Sequence, residues 1–211
     1  RADFANPSGD YSNTFIITAT ANPIAYAITY NSDTTDTSVT NMPSTQASSE
    51  FTGTSITLDT KEPTRPTYLF QGWCTSSITN NSTTNPSCTG TTYQPGAEFP
   101  INQTTTNNIT LKAIWKLNVF NITINSSDTG YGTVNTTSLT NIPAGTSLPS
   151  SGATTNPITI NGTTITATPA TATAQYTYSF TGWTHSCGTT LTSACTITAN
   201  FTRTTNKYTV T

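Results

Sequence analysis

Along this chain apolar residues return at every second position, and the strings they form recur in a fixed order. Ile109, Leu111, Ala113 and Trp115 make one such string; Ile197, Ala199 and Phe201 make another. A period of two belongs to a strand with one buried face, because successive side chains leave the backbone on opposite sides. An earlier copy reads Phe15-Ile-Ile-Thr-Ala-Thr-Ala21. After a short polar connector each copy is followed by an aromatic-x-aliphatic strand start, at Tyr26, Phe120 and Tyr208.

The copies keep phase. Ala113 lies 94 residues beyond Ala19, and Thr123 lies 94 beyond Thr29. Ala199 lies 86 beyond Ala113 and Tyr208 lies 88 beyond Phe120, so the last linker is two residues longer. Self-similarity at such a period predicts an array of repeats. Joints are expected near residues 22–26, 116–119 and 202–207. The chain then divides into the tail of one repeat (1–24), two full modules (25–117 and 118–203) and the first strand of another (204–211).

A second correspondence lies within the full modules. Ile56-Thr-Leu58 precedes Tyr68-Leu-Phe-Gln-Gly-Trp73, and Ile165-Thr-Ala167 precedes Tyr178-Ser-Phe-Thr-Gly-Trp183. Both read as a strand, a proline-containing loop, and an aromatic strand ending in Phe-x-Gly-Trp. Phe70, Gly72, Trp73, Trp115, Phe180, Gly182, Trp183 and Phe201 are therefore the expected core anchors. No amphipathic helix is evident, and short helical turns are expected only near Pro95 to Glu98. The predicted class is mainly β with little helix.

Composition changes little in this picture. Charged residues are 8% and hydrophobic ones 33% of 211 residues. Disordered chains combine low hydrophobicity with high charge, and Thr, Ser and Asn here supply strand faces and turns instead. Seven Lys plus Arg against nine Asp plus Glu leave no basic patch for nucleic acid. No apolar run approaches the ~20 residues of a spanning helix. Membrane insertion is not expected, nor is any cofactor.

Four cysteines fall in two close pairs, Cys74 with Cys88 and Cys187 with Cys195. The spacing is not C-x-x-C and there is a single histidine, which argues against zinc. Of three possible connectivities, the local one keeps each bridge inside one repeat, and disulfides imply an oxidising compartment. The alternative is four free buried thiols. The two bridges are read as related staples that pin the loop leaving the Gly-Trp strand.

Other candidate chemistry is sparse. His185 has no acidic residue within ten positions, so a Ser–His–Asp arrangement lacks its orienting carboxylate locally, and no catalytic residue is assigned. Asp33 with Asp36, or Asp59 with Glu62, could bind calcium weakly, but turn residues in solvent are the simpler reading; no metal site is assigned. Lys112 alternates with Leu111 and Ala113, so it should face away from the core rather than cross-link within it. The three tryptophans could stack on sugars, yet recurrence at one repeat position favours packing. Asn-x-Ser/Thr triplets at Asn80, Asn108, Asn121, Asn135, Asn161 and Asn200 are expected by chance in so Asn- and Thr-rich a chain.

The first module resembles the InlB B-repeat family, also called the Listeria–Bacteroides repeat. The resemblance is carried by Tyr26-Ala-Ile-Thr-Tyr30, Asn41-Met-Pro43, Pro63-Thr-Arg65, Tyr68-Leu-Phe-Gln-Gly-Trp73, Tyr93-Gln-Pro-Gly96 and Ile109-Thr-Leu-Lys-Ala-Ile-Trp115. The second resembles the divergent bacterial form through Gly130-Tyr-Gly-Thr-Val134, Ile165-Thr-Ala-Thr-Pro169, Phe180-Thr-Gly-Trp183 and Ile197-Thr-Ala-Asn-Phe201. Asn31-Ser-Asp33 stands where the family commonly has a double glycine. The resemblance implies small β-grasp-like modules strung along secreted, cell-wall-attached bacterial proteins, and it brings no catalytic residues. A non-catalytic stalk at the cell surface is the expected role, with neighbouring repeats as partners. The alternative is an adhesin module that binds a host protein or glycan.

Overall fold

Thr-rich alternation broken by Asn, Gly and Pro produces strands throughout, and the chain is mainly β. The computed structural model describes residues 24–51, 55–101 and 108–208, and among them there is no helix. The first stretch holds β1 (Ile24–Asn31), β2 (Gln46–Phe51), β3 (Ser55–Thr57), β4 (Tyr68–Cys74), β5 (Ile78–Thr79), β6 (Ser87–Cys88), β7 (Thr92–Tyr93), β8 (Glu98–Pro100) and β9 (Ile109–Leu117). The second holds β10 (Val119–Ser126), β11 (Gly132–Val134), β12 (Ser138–Pro143), β13 (Ile158–Ile160), β14 (Thr163–Ile165), β15 (Ala167–Pro169), β16 (Tyr176–His185) and β17 (Cys195–Thr205).

Two sheets share one plan. Their orders are β2-β1-β9-β4-β7 and β12-β10-β17-β16. In each, the first strand lies parallel to the last, and the other neighbours are antiparallel. The registers also coincide. Ile28 faces Ile109 in the first parallel pair, and their counterparts 94 and 86 residues on, Ile122 and Cys195, face each other in the second. Each sheet has its own core: Ile28, Leu58, Trp73, Leu111, Ala113 and Trp115 belong to one, and Ile122, Ile124, Trp183, Ile197, Ala199 and Phe201 to the other.

The Phe-x-Gly-Trp motif owes its form to a β-bulge. Strict alternation would place Phe70 and Trp73 on opposite faces, yet both join one core. The ladder shifts between Phe70, opposite Trp115, and Trp73, opposite Ala113. The same shift separates Phe180, opposite Phe201, from the Gly182-Trp183 end of β16. One extra residue returns the tryptophan to the phenylalanine's face, with ring centroids 4.9 Å apart for Phe70–Trp73 and 5.4 Å for Phe180–Trp183. The glycine permits it: φ is +125° at Gly72 and +145° at Gly182, where a side chain is strained. A Cβ on Gly72 would also lie 2.9 Å from the Tyr93 carbonyl oxygen. Gly72→Ala is expected to cost about 1–3 kcal/mol, measured by denaturant unfolding; an unchanged midpoint would contradict this account.

One expectation is corrected, and the strand ends lie inside two of the expected joints. Pro95 to Glu98 forms no helical turn: Ala97 N–H donates to Gln94 O at 3.1 Å, closing a β-turn with Gly96 at φ +74°, and β8 starts at Glu98. The joint at 116–119 shrinks to Asn118 alone, because β4 keeps pairing with β9 as far as Tyr68 opposite Leu117. Likewise β17 runs to Thr205 beside β16, two residues past the expected module end at 203. The strand copy at Phe15–Ala21 and residues 209–211 lie outside the described residues.

Candidate functional site

After Trp73 the two units diverge. Residues 75–108 separate β4 from β9, whereas only residues 186–194 separate β16 from β17. Both local cysteine pairs are bonded: Cys74 with Cys88 and Cys187 with Cys195, 14 and 8 residues apart. They are not equivalent staples. Cys195 occupies the repeat position of Ile109, at the start of the last strand, and closes a short loop against the exit of β16. Cys74 is fully buried at the end of β4 and holds the long excursion to the sheet.

That excursion continues the sheet where β1 stops. The β1–β9 ladder ends at Asn31 opposite Lys112, leaving the next backbone groups of β9 without a strand partner. Asn81 supplies one. Its side-chain amide donates to Ala113 O (3.1 Å), and its oxygen accepts from Trp115 N–H (2.8 Å). Only an amide side chain carries both a donor and an acceptor in a peptide-like arrangement. Ser82 N–H then donates to Trp115 O (2.9 Å), and Leu117 N–H donates to Thr83 O (2.7 Å).

Arg65 clasps the same region. Its Nε donates to Asp36 Oδ2 (3.0 Å) and its Nη1 to Ser82 Oγ (2.6 Å), while the guanidinium lies 3.7 Å from the centroid of the Tyr68 ring. Ser82 sits at φ +67° and Asn80 at +53°, a conformation L-residues disfavour by roughly 1–2 kcal/mol. The bonds to Ser82 offset that cost. Asp33 completes the cluster, accepting from Asn81 Nδ2 (2.9 Å) and lying 3.5 Å from Lys112 Nζ. Asp33 and Asp36 are thus engaged with cations rather than left as simple solvated turn residues. Lys112 does face away from the core, but it is only partly exposed and is paired.

Asp36 ties this cluster to pH. Hydrogen bonds from Ser38 Oγ (2.6 Å) and Ser38 N–H (2.9 Å), followed by Arg65, lower its pKa from 3.8 to about 2. A depressed carboxylate contributes stability that is complete above its unfolded value and is lost as pH falls through the folded value. The clasp should therefore be intact from neutrality down to about pH 4 and fail between about pH 4 and 2. Glu98 is likewise lowered, by the Ser55 and Thr57 hydroxyls, and so also contributes stability that is lost on acidification. Thermal midpoints of wild type and Asp36→Asn against pH should converge on acidification; parallel curves would exclude Asp36 as the cause.

The remaining candidates are structural. Trp73, Trp115 and Trp183 are all 0% exposed, so none forms a sugar platform. Trp115 Nε1 donates to Ser32 O (2.7 Å) and Trp183 Nε1 to Thr155 O (3.1 Å). Phe70 and Phe180 are half-buried against their cores, Gly72 and Gly182 are buried, and Phe201 is 7% exposed. His185 has both ring nitrogens occupied, Nε2 by Pro149 O (2.5 Å) and Nδ1 by Cys187 N–H (3.3 Å). Among the described residues no three His, Cys, Asp or Glu side chains gather as a metal site. The meeting of Arg65 with Asp36 and Ser82, and of Asn81 with β9, was not legible in the sequence because these residues converge from separate loops.

Compared with family models, with curated proteins and with solved structures, the chain matches none. Its two disulfides fit an oxidising, extracellular environment. No helix among the described residues is long and apolar enough to cross a membrane.

Proposed function

We propose that this chain is a non-catalytic stalk segment of a bacterial cell-surface protein, built from tandem InlB B-repeat-like modules. The observation that carries the reading is the joint between the two sheets. Asn118 is its sole connecting residue, and its backbone is bonded on both sides. Its N–H donates to Thr67 O of the first unit (2.9 Å), and its carbonyl accepts from Ala144 N–H of the second (2.9 Å). A one-residue link held this way resists bending, which a spacer needs and a flexible tether lacks.

The upstream half of the joint recurs at Asn206. Asn206 lies 88 residues beyond Asn118, and its N–H donates to Gln175 O (2.8 Å), immediately before β16, as Asn118 bonds Thr67 immediately before β4. A serial array whose joint recurs in this half suits projection of another domain. The parallel pairing of first and last strands in both sheets supports a β-grasp-like module. Small-angle scattering of the intact chain should give an elongated particle, and a Gly-Gly insertion after Asn118 should broaden the inter-unit distances. A compact wild-type particle unchanged by the insertion would overturn the stalk. A second reading, an adhesin module for a host protein or glycan, draws on the excursion between β4 and β9 that the second unit lacks.

A further inference from the structure

The outer face of the first sheet is buried and apolar at Ile114, where the second sheet is polar. Counting 86 residues on, Ile114 corresponds to Asn200. Asn200 is half-buried, and its amide donates to Gly182 O (3.2 Å) and Thr184 Oγ1 (2.9 Å), an ordinary polar outer face. Ile114 is 5% exposed yet belongs to neither core cluster. It lies between Lys112 and Lys116 on the face turned from the core, where the disulfide-held excursion folds over it.

Between that excursion and the sheet lies a groove of about 450 Å³. This falls in the lower part of the ~300–1,000 Å³ range of small-molecule sites. Pro86 and the small exposed edge of Ile114 supply apolar surface, while Gln71, Asn85, Ser87 and Thr92 supply amides and hydroxyls. Lys116 stands at its wall, and no carboxylate lines it. Among the described residues Lys116 makes no ion pair, and the Ser87 and Thr92 hydroxyls make no hydrogen bond. The walls are held in advance by the Cys74–Cys88 bond and by the contacts of Arg65 and Asn81, which limits the ordering cost of binding.

We propose that this groove binds a short saccharide bearing a carboxylate. The idea rests on the second reading above and names its site and ligand class. Hydroxyls and amides match the hydroxyls of a sugar, Pro86 with the edge of Ile114 meets the C–H face of its ring, and Lys116 forms a charge-assisted bond with the carboxylate. An extended peptide is the poorer fit. Strand addition needs unpaired backbone, and here β9 is bonded to Asn81, Ser82 and Thr83 while the end of β4 pairs with β7.

The test is a titration of the isotope-labelled full chain, followed by amide NMR, with sialyllactose and glucuronic acid and their neutral counterparts lactose and glucose. The expected result is saturable shifts at Asn85, Ser87, Cys88, Thr92 and Lys116 with at least one acid, at a Kd on the order of 1 mM or tighter. Lys116→Gln, at an exposed site, should weaken binding about tenfold or more, and Thr92→Val should weaken it without changing the fold. Equal binding of acid and neutral sugar, or indifference to Lys116→Gln, overturns the proposal. So does a short acidic peptide that fills the groove better than any sugar. A saccharide binding elsewhere overturns the groove but leaves the adhesin reading standing; no binding of saccharide or host protein removes both.

Discussion

Trp183→Ala is expected to cost about 3–5 kcal/mol and to unfold the second unit. Trp183 is fully buried and packs on Phe180, with its indole N–H on Thr155 O. Alanine leaves a cavity the size of the indole and an unpaired carbonyl. Against a typical domain stability of about 5–15 kcal/mol that is a large share. The two cores have no residue in common, so the loss should stay local. Amide NMR should show Ile122, Ile197 and Phe201 losing dispersion while Ile28, Leu58 and Leu111 keep theirs. Simultaneous collapse of both sets would mean that the units do not fold independently. Trp183→Phe should cost about 1–3 kcal/mol, in part because Thr155 O loses its donor.

Replacing Cys74 and Cys88 together by alanine is expected to cost about 3 kcal/mol, from the freedom returned to a loop near 15 residues long. The shorter Cys187–Cys195 loop should cost slightly less on the same argument. What distinguishes them is where the loss is felt. Without the first bridge, the excursion carrying Asn81 and Thr83 is no longer held to the end of β4, and those residues cover the N–H groups of Trp115 and Leu117. Hydrogen exchange at these two amides should quicken sharply when the first bridge is removed and stay unchanged when the second is removed. Uniform protection at both would show that the Arg65 clasp alone holds the excursion.

Much of this architecture was legible in periodicity. Strings with a period of two marked β9 and β17, and the offsets of 94 and 86 residues connect Ile28–Ile109 with Ile122–Cys195, pairs that hold matching places in the two parallel ladders. The reason is physical: a half-buried strand writes its pleat into the order of its side chains. Phe-x-Gly-Trp could be recognised as a recurring anchor, but its bulge could not be derived, since a bulge breaks the alternation on which the reading depends. The expected helical turn at Pro95 to Glu98 failed because proline and glycine punctuate β-turns as readily as they bound helices.

The clasp and the groove were not legible. Asp33 and Asp36 were visible as a nearby pair of acids, but their partners Arg65, Asn81 and Lys112 lie far along the chain. Which polar residues meet depends on how loops cross outside the sheet, and loops carry no period. The buried state of Ile114 is similar: alternation assigns it to the outer face, and only the excursion folded over that face takes it out of water. The strands, their phasing and the local cysteine pairs are thus properties of the order of residues, because each depends on neighbours close in sequence or on motifs that return in the same order. The bulges, the one-residue joint, the Arg65 clasp and the groove belong to the tertiary structure, because each is made where segments remote in sequence come within a few ångströms.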